Sequence, residues 1–157
     1  MKAFADLFRR LDETTSTSRK IATLAAYFEY APAEDAIWAV RFLIGRKPRQ
    51  VVPTRQMKAW AADLAAVPEW LFEASYDVVG DLAETITLLI PPATTRHDRP
   101  LHKWVEQHLL PLKDKDLEER RGAILEAWDA MDTAQRFVWN KLITGGFRVG
   151  VSRRLVV

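Results

Sequence analysis

The sequence predicts an all-α fold: a compact multi-helix domain of eight or more helices joined by short loops. Three observations carry that expectation. Apolar residues recur at helical spacing along most of the 157 residues. Proline, glycine and short polar residues punctuate the chain at helix-length intervals. Almost nothing reads as strand. Thr85-Ile86-Thr87 has strand propensity, but the cap signal ahead of it favours helix.

Phe4, Leu7, Phe8 and Leu11 form one apolar face of a first helix. The hydroxyl-rich break from Thr14 to Ser18 supplies N-cap oxygens for a second, whose face is Ile21, Leu24, Ala25 and Phe28. Pro32 is placed as the first residue of a third, with Glu34 and Asp35 in its positive-dipole turn and Gly45 as its stop. Ile37, Trp38, Val40, Phe42, Leu43 and Ile44 make this helix apolar nearly all round, which predicts a central position. Thr54 is placed to cap a helix with Met57, Trp60, Ala61 and Leu64. Pro68-Glu69 opens another, with Leu71, Phe72, Tyr76 and Val79, that ends at Gly80. Asp81 to Glu84 resembles a capping box for a short helix with Ile86, Leu89 and Ile90, stopped by Pro91-Pro92.

The stretch from Pro91 to Pro100 reads as an internal linker. Beyond it come a short helix with Leu101, Trp104, Val105 and Leu109, and a longer one from near Asp116 with Leu117, Ile124, Leu125, Trp128 and Met131. Asp132 caps a last full helix that ends at Gly145-Gly146. Burial is expected for Ile21, Leu24 and Phe28, for Ile37, Phe42 and Ile44, and for Ile124 and Trp128. Most of the six tryptophans are expected in the core. Ser152 reads as the N-cap of a further helix begun by Arg153, so the sequence is expected to continue beyond Val157.

Composition narrows the chemistry. The chain has no cysteine, which excludes disulfides, thiolate metal sites and a cysteine nucleophile. No apolar run reaches the ~20 residues of a membrane span, and the acid at Asp6 argues against a signal peptide. A soluble domain of the cytoplasm is expected. Net charge is only +2, but the charges are segregated. Six bases and no acid lie between Arg41 and Lys58, six acids and no base between Ala59 and Thr95, and five bases and no acid from Thr133 onward. Arginine outnumbers lysine 15 to 8, which suits forked contacts to phosphate. A basic and an acidic face fit a polyanion binder, while a solvated charge mosaic fits the counts equally well.

Enzyme signatures are missing: no phosphate loop, no GxGxxG, no HExxH and no Lys-x-Asp-Gly occur. His97, His102 and His108 lack metal spacing and read as surface or half-buried residues. Three segments suit phosphate instead. Ser16, Thr17, Ser18, Arg19 and Lys20 join small hydroxyls and two cations at a helix start, although such hydroxyls also serve simply as caps. Arg120 and Arg121 follow Glu118 and Glu119, acids that equally well satisfy the helix dipole and pair with the arginines. Gly145, Gly146, Arg148 and Gly150, between Lys141 and Ser152, allow close backbone approach to a duplex with a guanidinium among the glycines. A helix cap followed by a tight turn explains Gly145 or Gly146 but not the Arg148-Val149-Gly150 step.

The run from Lys141 through Gly145-Gly146-Phe147-Arg148-Val149-Gly150 to Leu155 resembles the end of the N-terminal DNA-binding domain of ATP-dependent DNA ligases. The opening from Phe4 to Lys20 is similar to that domain's first two helices in the bacterial branch, and Gly80-Asp81-Leu82 resembles a further family element. The resemblance spans nearly the whole chain. It implies an all-α domain that grips nicked duplex DNA through minor-groove phosphates and sugars, in repair, replication or recombination. It assigns DNA contact to Ser16–Lys20, Arg120-Arg121 and Gly145–Gly150, with Glu118 and Glu119 departing from the family's hydroxyl-rich turn. It also implies a monomer whose partners are nicked DNA and downstream nucleotidyltransferase and OB-fold domains, with residues 1–157 as one domain. ATP and Mg would serve the parent ligase, and this chain alone would need no cofactor and perform no catalysis. The competing reading is a helical protein–protein interaction module without DNA binding. A stand-alone enzyme ranks last.

Overall fold

The computed structural model describes residues 1–46, 49–144 and 152–156, and within them the protein is all α. The helices are α1 (Lys2–Asp12), α2 (Thr17–Tyr30), α3 (Ala33–Leu43), α4 (Thr54–Ala65), α5 (Glu69–Val79), α6 (Leu82–Leu89), α7 (Leu101–Lys103), α8 (Leu117–Ala130), α9 (Thr133–Thr144) and α10 (Arg153–Val156). From α7 the chain winds on through a π-helical turn, Trp104–Leu109, and a 3-10 turn, Leu110–Asp114. Trp104 and Leu109, five residues apart, are both buried there, a spacing that the wider turn accommodates.

Prolines and polar caps set the helix starts. Pro32, Pro53 and Pro68 occupy the N-cap positions of α3, α4 and α5, so Pro32 precedes α3 instead of opening it, and Thr54 is the first residue of α4. Asp81 accepts the Glu84 amide at 2.9 Å. The reciprocal capping box forms at α8, where Asp116 and Glu119 each accept the other's amide at 2.8 and 3.0 Å. Asp132 caps α9 by accepting the Gln135 amide. Gly45 and Gly80 follow α3 and α5 with φ of +88° and +80°, a region where a Cβ is strained.

The centre of the fold is α9, not α3. Seven of the 12 residues of α9 are buried, because α6 packs on one side of it and α1 on another. In α3 the buried set is Asp35, Ala39, Phe42 and Leu43, a single helical face, and Ile37 on the opposite side is 61% exposed. Ile21 also departs from expectation, at 49% exposure. It lies a turn nearer the start of α2 than Leu24, where the described residues cover the helix only partly. Leu24, Phe42, Ile124 and Trp128 are buried as expected, and Phe28 packs half-buried against the core.

Aromatic contacts tie the layers together. Phe4 touches Tyr27 and Phe42, Phe8 meets Phe137 edge-on, and Trp104 leans on Trp139. Trp60, Trp104, Trp128 and Trp139 are buried, whereas Trp70 is exposed. Two buried polar clusters complete the core. Trp128 Nε1 donates to Asn140 Oδ1 at 2.7 Å, and Asn140 Nδ2 donates to Thr87 at 3.4 Å, pinning α8 and α6 to α9. Arg136 donates to the carbonyls of Trp128 and Pro91, both at 2.7 Å, and burial pushes its pKa down.

The segment from Pro91 to Pro100 is a strap and not a free linker. Thr94 donates from its amide and hydroxyl to the Asp129 carboxylate, and the Thr95 and His97 amides donate to the carbonyls of Asp129 and Ala130. The Met1 amino group donates to the Arg99 carbonyl at 2.8 Å, so the strap also holds the chain's first residue.

Candidate nucleic-acid interface

The start of α2, like those of α1, α4 and α9, lacks the first-turn acids found in α3, α5, α6 and α8. The last four carry acids in their first turn: Glu34 and Asp35, Glu69, Glu84, and Glu118 and Glu119. Each acid there complements the partial positive charge of the helix end. In α2 the first turn holds no acid, and Arg19 and Lys20 come after Thr17 and Ser18, which follow the Ser16 cap. A cation beside a helix N-terminus is unfavourable by roughly 0.3–1 kcal/mol. An anion placed at that end relieves the repulsion and takes the free amides as well.

Locally the turn is well formed. Ser16 Oγ accepts the Arg19 amide at 3.4 Å and lies 3.1 Å from Ser18 Oγ, and Thr14 Oγ1 accepts the Ser16 amide at 3.2 Å. Thr17, Ser18 and Arg19 are exposed, with Ser16 and Lys20 partly covered. Hydroxyls and a guanidinium therefore face solvent around a fixed helix end.

The third phosphate-suited segment is described only at its end. Gly145, Gly146, Arg148 and Gly150 lie outside the described residues. The described chain resumes at Ser152, which is exposed and whose carbonyl accepts the Leu155 amide at 3.0 Å. Helix α10 then packs on α2 and α3, with Leu155 and Val156 against the core.

The remaining expected residues are used inside the protein. Lys141 is largely buried, its ammonium 2.5 Å from Asp81 Oδ2 and 4.9 Å from the Phe137 ring centroid. Burial works to raise the Asp81 carboxyl, but Lys141 and the Glu84 and Ala83 amides outweigh it and hold the group below its ordinary value. Arg120 is held by main-chain carbonyls. Its Nε, Nη1 and Nη2 donate to the carbonyls of Lys115, Val51 and Lys113 at 2.9, 2.6 and 3.1 Å. Arg121 reaches Asp63 at 3.7 Å, and its Nε is buried without a partner. In the basic stretch, Arg41 lies over Trp38 and Lys58 pairs with Glu73 at 3.1 Å, leaving Arg46, Arg49 and Arg55 exposed. These roles depend on tertiary partners, so no signal in the local sequence announces them.

Among the described residues no cluster of three or more His, Cys, Asp or Glu side chains is arranged to hold a metal ion. No helix among them is long and apolar enough to cross a membrane.

The described residues form an all-α domain whose second helix opens with exposed hydroxyls and a guanidinium. A family model described as DNA ligase N terminus matches residues 1–157, and the chain belongs to that family. No curated protein matches the chain. Its role is that of a DNA ligase domain, with DNA and other ligase domains as the partners that membership implies.

Proposed function

We propose that this domain grips duplex DNA around a nick, independently of sequence, as the DNA-binding part of an ATP-dependent DNA ligase of the bacterial branch. The observation that supports this most is the start of α2, where exposed hydroxyls and Arg19 stand at a helix end whose first turn holds no acid. In this reading Ser16 to Lys20, Gly145, Gly146, Arg148, Gly150 and Ser152 contact phosphates and sugars. Such contacts fix position on the duplex and carry no base information. Glycines let the main chain lie against the backbone, and Arg148 forks onto phosphate or enters the minor groove. Arg120 and Lys141 act from behind: Arg120 holds the chain around Lys113 to Lys115 against Val51, and Lys141 holds α9 to Asp81. ATP and Mg, the lysine that carries AMP, and strand joining belong to other domains of the parent protein. The setting is cytoplasmic repair, replication or recombination, and the domain works as a monomer.

The test is equilibrium binding of the 157-residue chain to nicked duplexes of unrelated sequence. Similar affinities for all of them support the proposal. Binding to none, together with salt-insensitive capture of a protein partner, supports a helical interaction module instead.

A further inference from the structure

On α5 and α6 the protein exposes apolar side chains that its own fold does not use. Val78 is 87% exposed, Trp70 71% and Leu88 63%. Trp70, Ala74 and Val78 are four residues apart and lie on one stripe of α5, and Leu88 faces them from α6. Between the two helices runs a groove of about 410 Å³, lined by Ala74, Val78, Val79, Leu88 and Leu89 with Ser75 and Thr85. Both of those hydroxyls are turned back onto their own helices. Ser75 Oγ donates to the Leu71 carbonyl at 2.8 Å and Thr85 Oγ1 to the Asp81 carbonyl at 2.7 Å. The groove therefore presents carbon to an incoming group.

Charge around the groove has one sign. Glu69 and Asp77 flank the apolar stripe on α5, and Glu84 stands one turn before Leu88 on α6. The nearest cations are already engaged, Lys58 with Glu73 and Lys141 with Asp81. Neither Asp77 nor Glu84 has an ion-pair partner among the described residues. This rim repels a nucleic acid and a second copy of the same acidic face, and it attracts lysine and arginine.

We propose that the α5–α6 groove docks an amphipathic helix of a partner protein that is apolar on one side and rich in lysine or arginine along its edges. Its apolar anchors fill the groove beside Val78 and Leu88 and cover Trp70, and its cations meet Asp77 and Glu84. The groove shares no residue with the start of α2.

The probe is a synthetic amphipathic helix of leucines and lysines, with a second peptide in which every lysine is glutamate. Both are titrated into the isotope-labelled 157-residue chain and followed by amide chemical shifts and Trp70 fluorescence. The lysine peptide is expected to bind at least about tenfold more tightly than the glutamate peptide, with shifts confined to α5 and α6. Leu88→Lys and Val78→Lys change exposed positions, so both variants stay folded by circular dichroism. Each should lose about tenfold in peptide affinity and keep its affinity for nicked duplex. Reversing both acids, Asp77→Lys with Glu84→Lys, should switch the preference to the glutamate peptide. Equal binding of the two peptides, binding to neither, shifts elsewhere on the chain, or a dimer formed through this face in sedimentation would each overturn the proposal.

Discussion

Removing the Arg120 side chain separates a supporting role from a DNA-contacting one. Arg120→Ala deletes three hydrogen bonds to main-chain carbonyls, those of Lys115, Val51 and Lys113. A charge-assisted hydrogen bond contributes about 1.5–3 kcal/mol when well buried. The bonds to Lys115 and Val51 are half-buried, and the one to Lys113 lies at the surface and is discounted for solvent. Two partly screened bonds give a loss of about 2–4 kcal/mol. In a domain of this size each kcal/mol lowers Tm by about 2–4 °C, so melting should fall by about 5–15 °C. Arg120→Lys should recover less than half of that, because one ammonium cannot serve three carbonyls in a fixed fork. Thermal unfolding by circular dichroism measures the loss. Binding to nicked duplex, measured well below both melting points, should stay within about twofold of the parent, against the tenfold that ~1.4 kcal/mol represents. An Arg120→Ala protein with unchanged melting and lost DNA affinity would refute the supporting role.

Two further substitutions probe the polar core. Asn140→Leu leaves the buried Trp128 Nε1–H without its acceptor, and denaturant unfolding should show a loss of about 1–3 kcal/mol despite the added apolar volume. Lys141→Met removes the partner of Asp81 and should cost about 1 kcal/mol near neutral pH after allowing for the exposure of Asp81. The sign of the pH effect follows from the lowered Asp81 pKa: its contribution is present above the ordinary value of 3.8 and is lost as pH falls through the lower folded value. Without the ammonium two of the influences that lower Asp81 are gone and its folded pKa is less depressed, so Lys141→Met should lose less Tm than the parent as pH falls below 3.8 in an acid titration. A parallel acid profile would show that Asp81 is not controlled by Lys141.

Helices were legible in the sequence because their signals are local. Pro32, Pro68, Gly80, Asp116 and Asp132 each act within a turn of where they stand, and the structure places helix ends at or beside all five. Which side of a helix is buried is less legible when apolar residues surround it. The α3 sequence offers Ile37 and Phe42 alike, and only tertiary packing, with Phe4 of α1 against Phe42, selects Phe42. The strap from Pro91 to Pro100 has the composition of a linker because its anchors, Asp129, Ala130 and Arg136, come some 35 residues or more later. At the candidate interface the hydroxyls and cations of Ser16 to Lys20 could be read directly. The commitment of Arg120 could not, since its acceptors are carbonyls that every residue possesses.

The proposed grip on DNA depends on phosphate binding by the α2 start and by Arg148. The most direct measurement is the affinity of the 157-residue chain for a nicked duplex over a series of salt concentrations, repeated with Arg19→Ala and Arg148→Ala. Each phosphate contact contributes about −0.9 to the slope of log K against log salt. A clearly negative slope is expected, flattening by about one unit in each variant, equally on duplexes of unrelated sequence and with melting temperatures unchanged. A slope near zero, or full affinity and an unaltered slope in folded Arg19→Ala and Arg148→Ala proteins, would contradict the proposed grip.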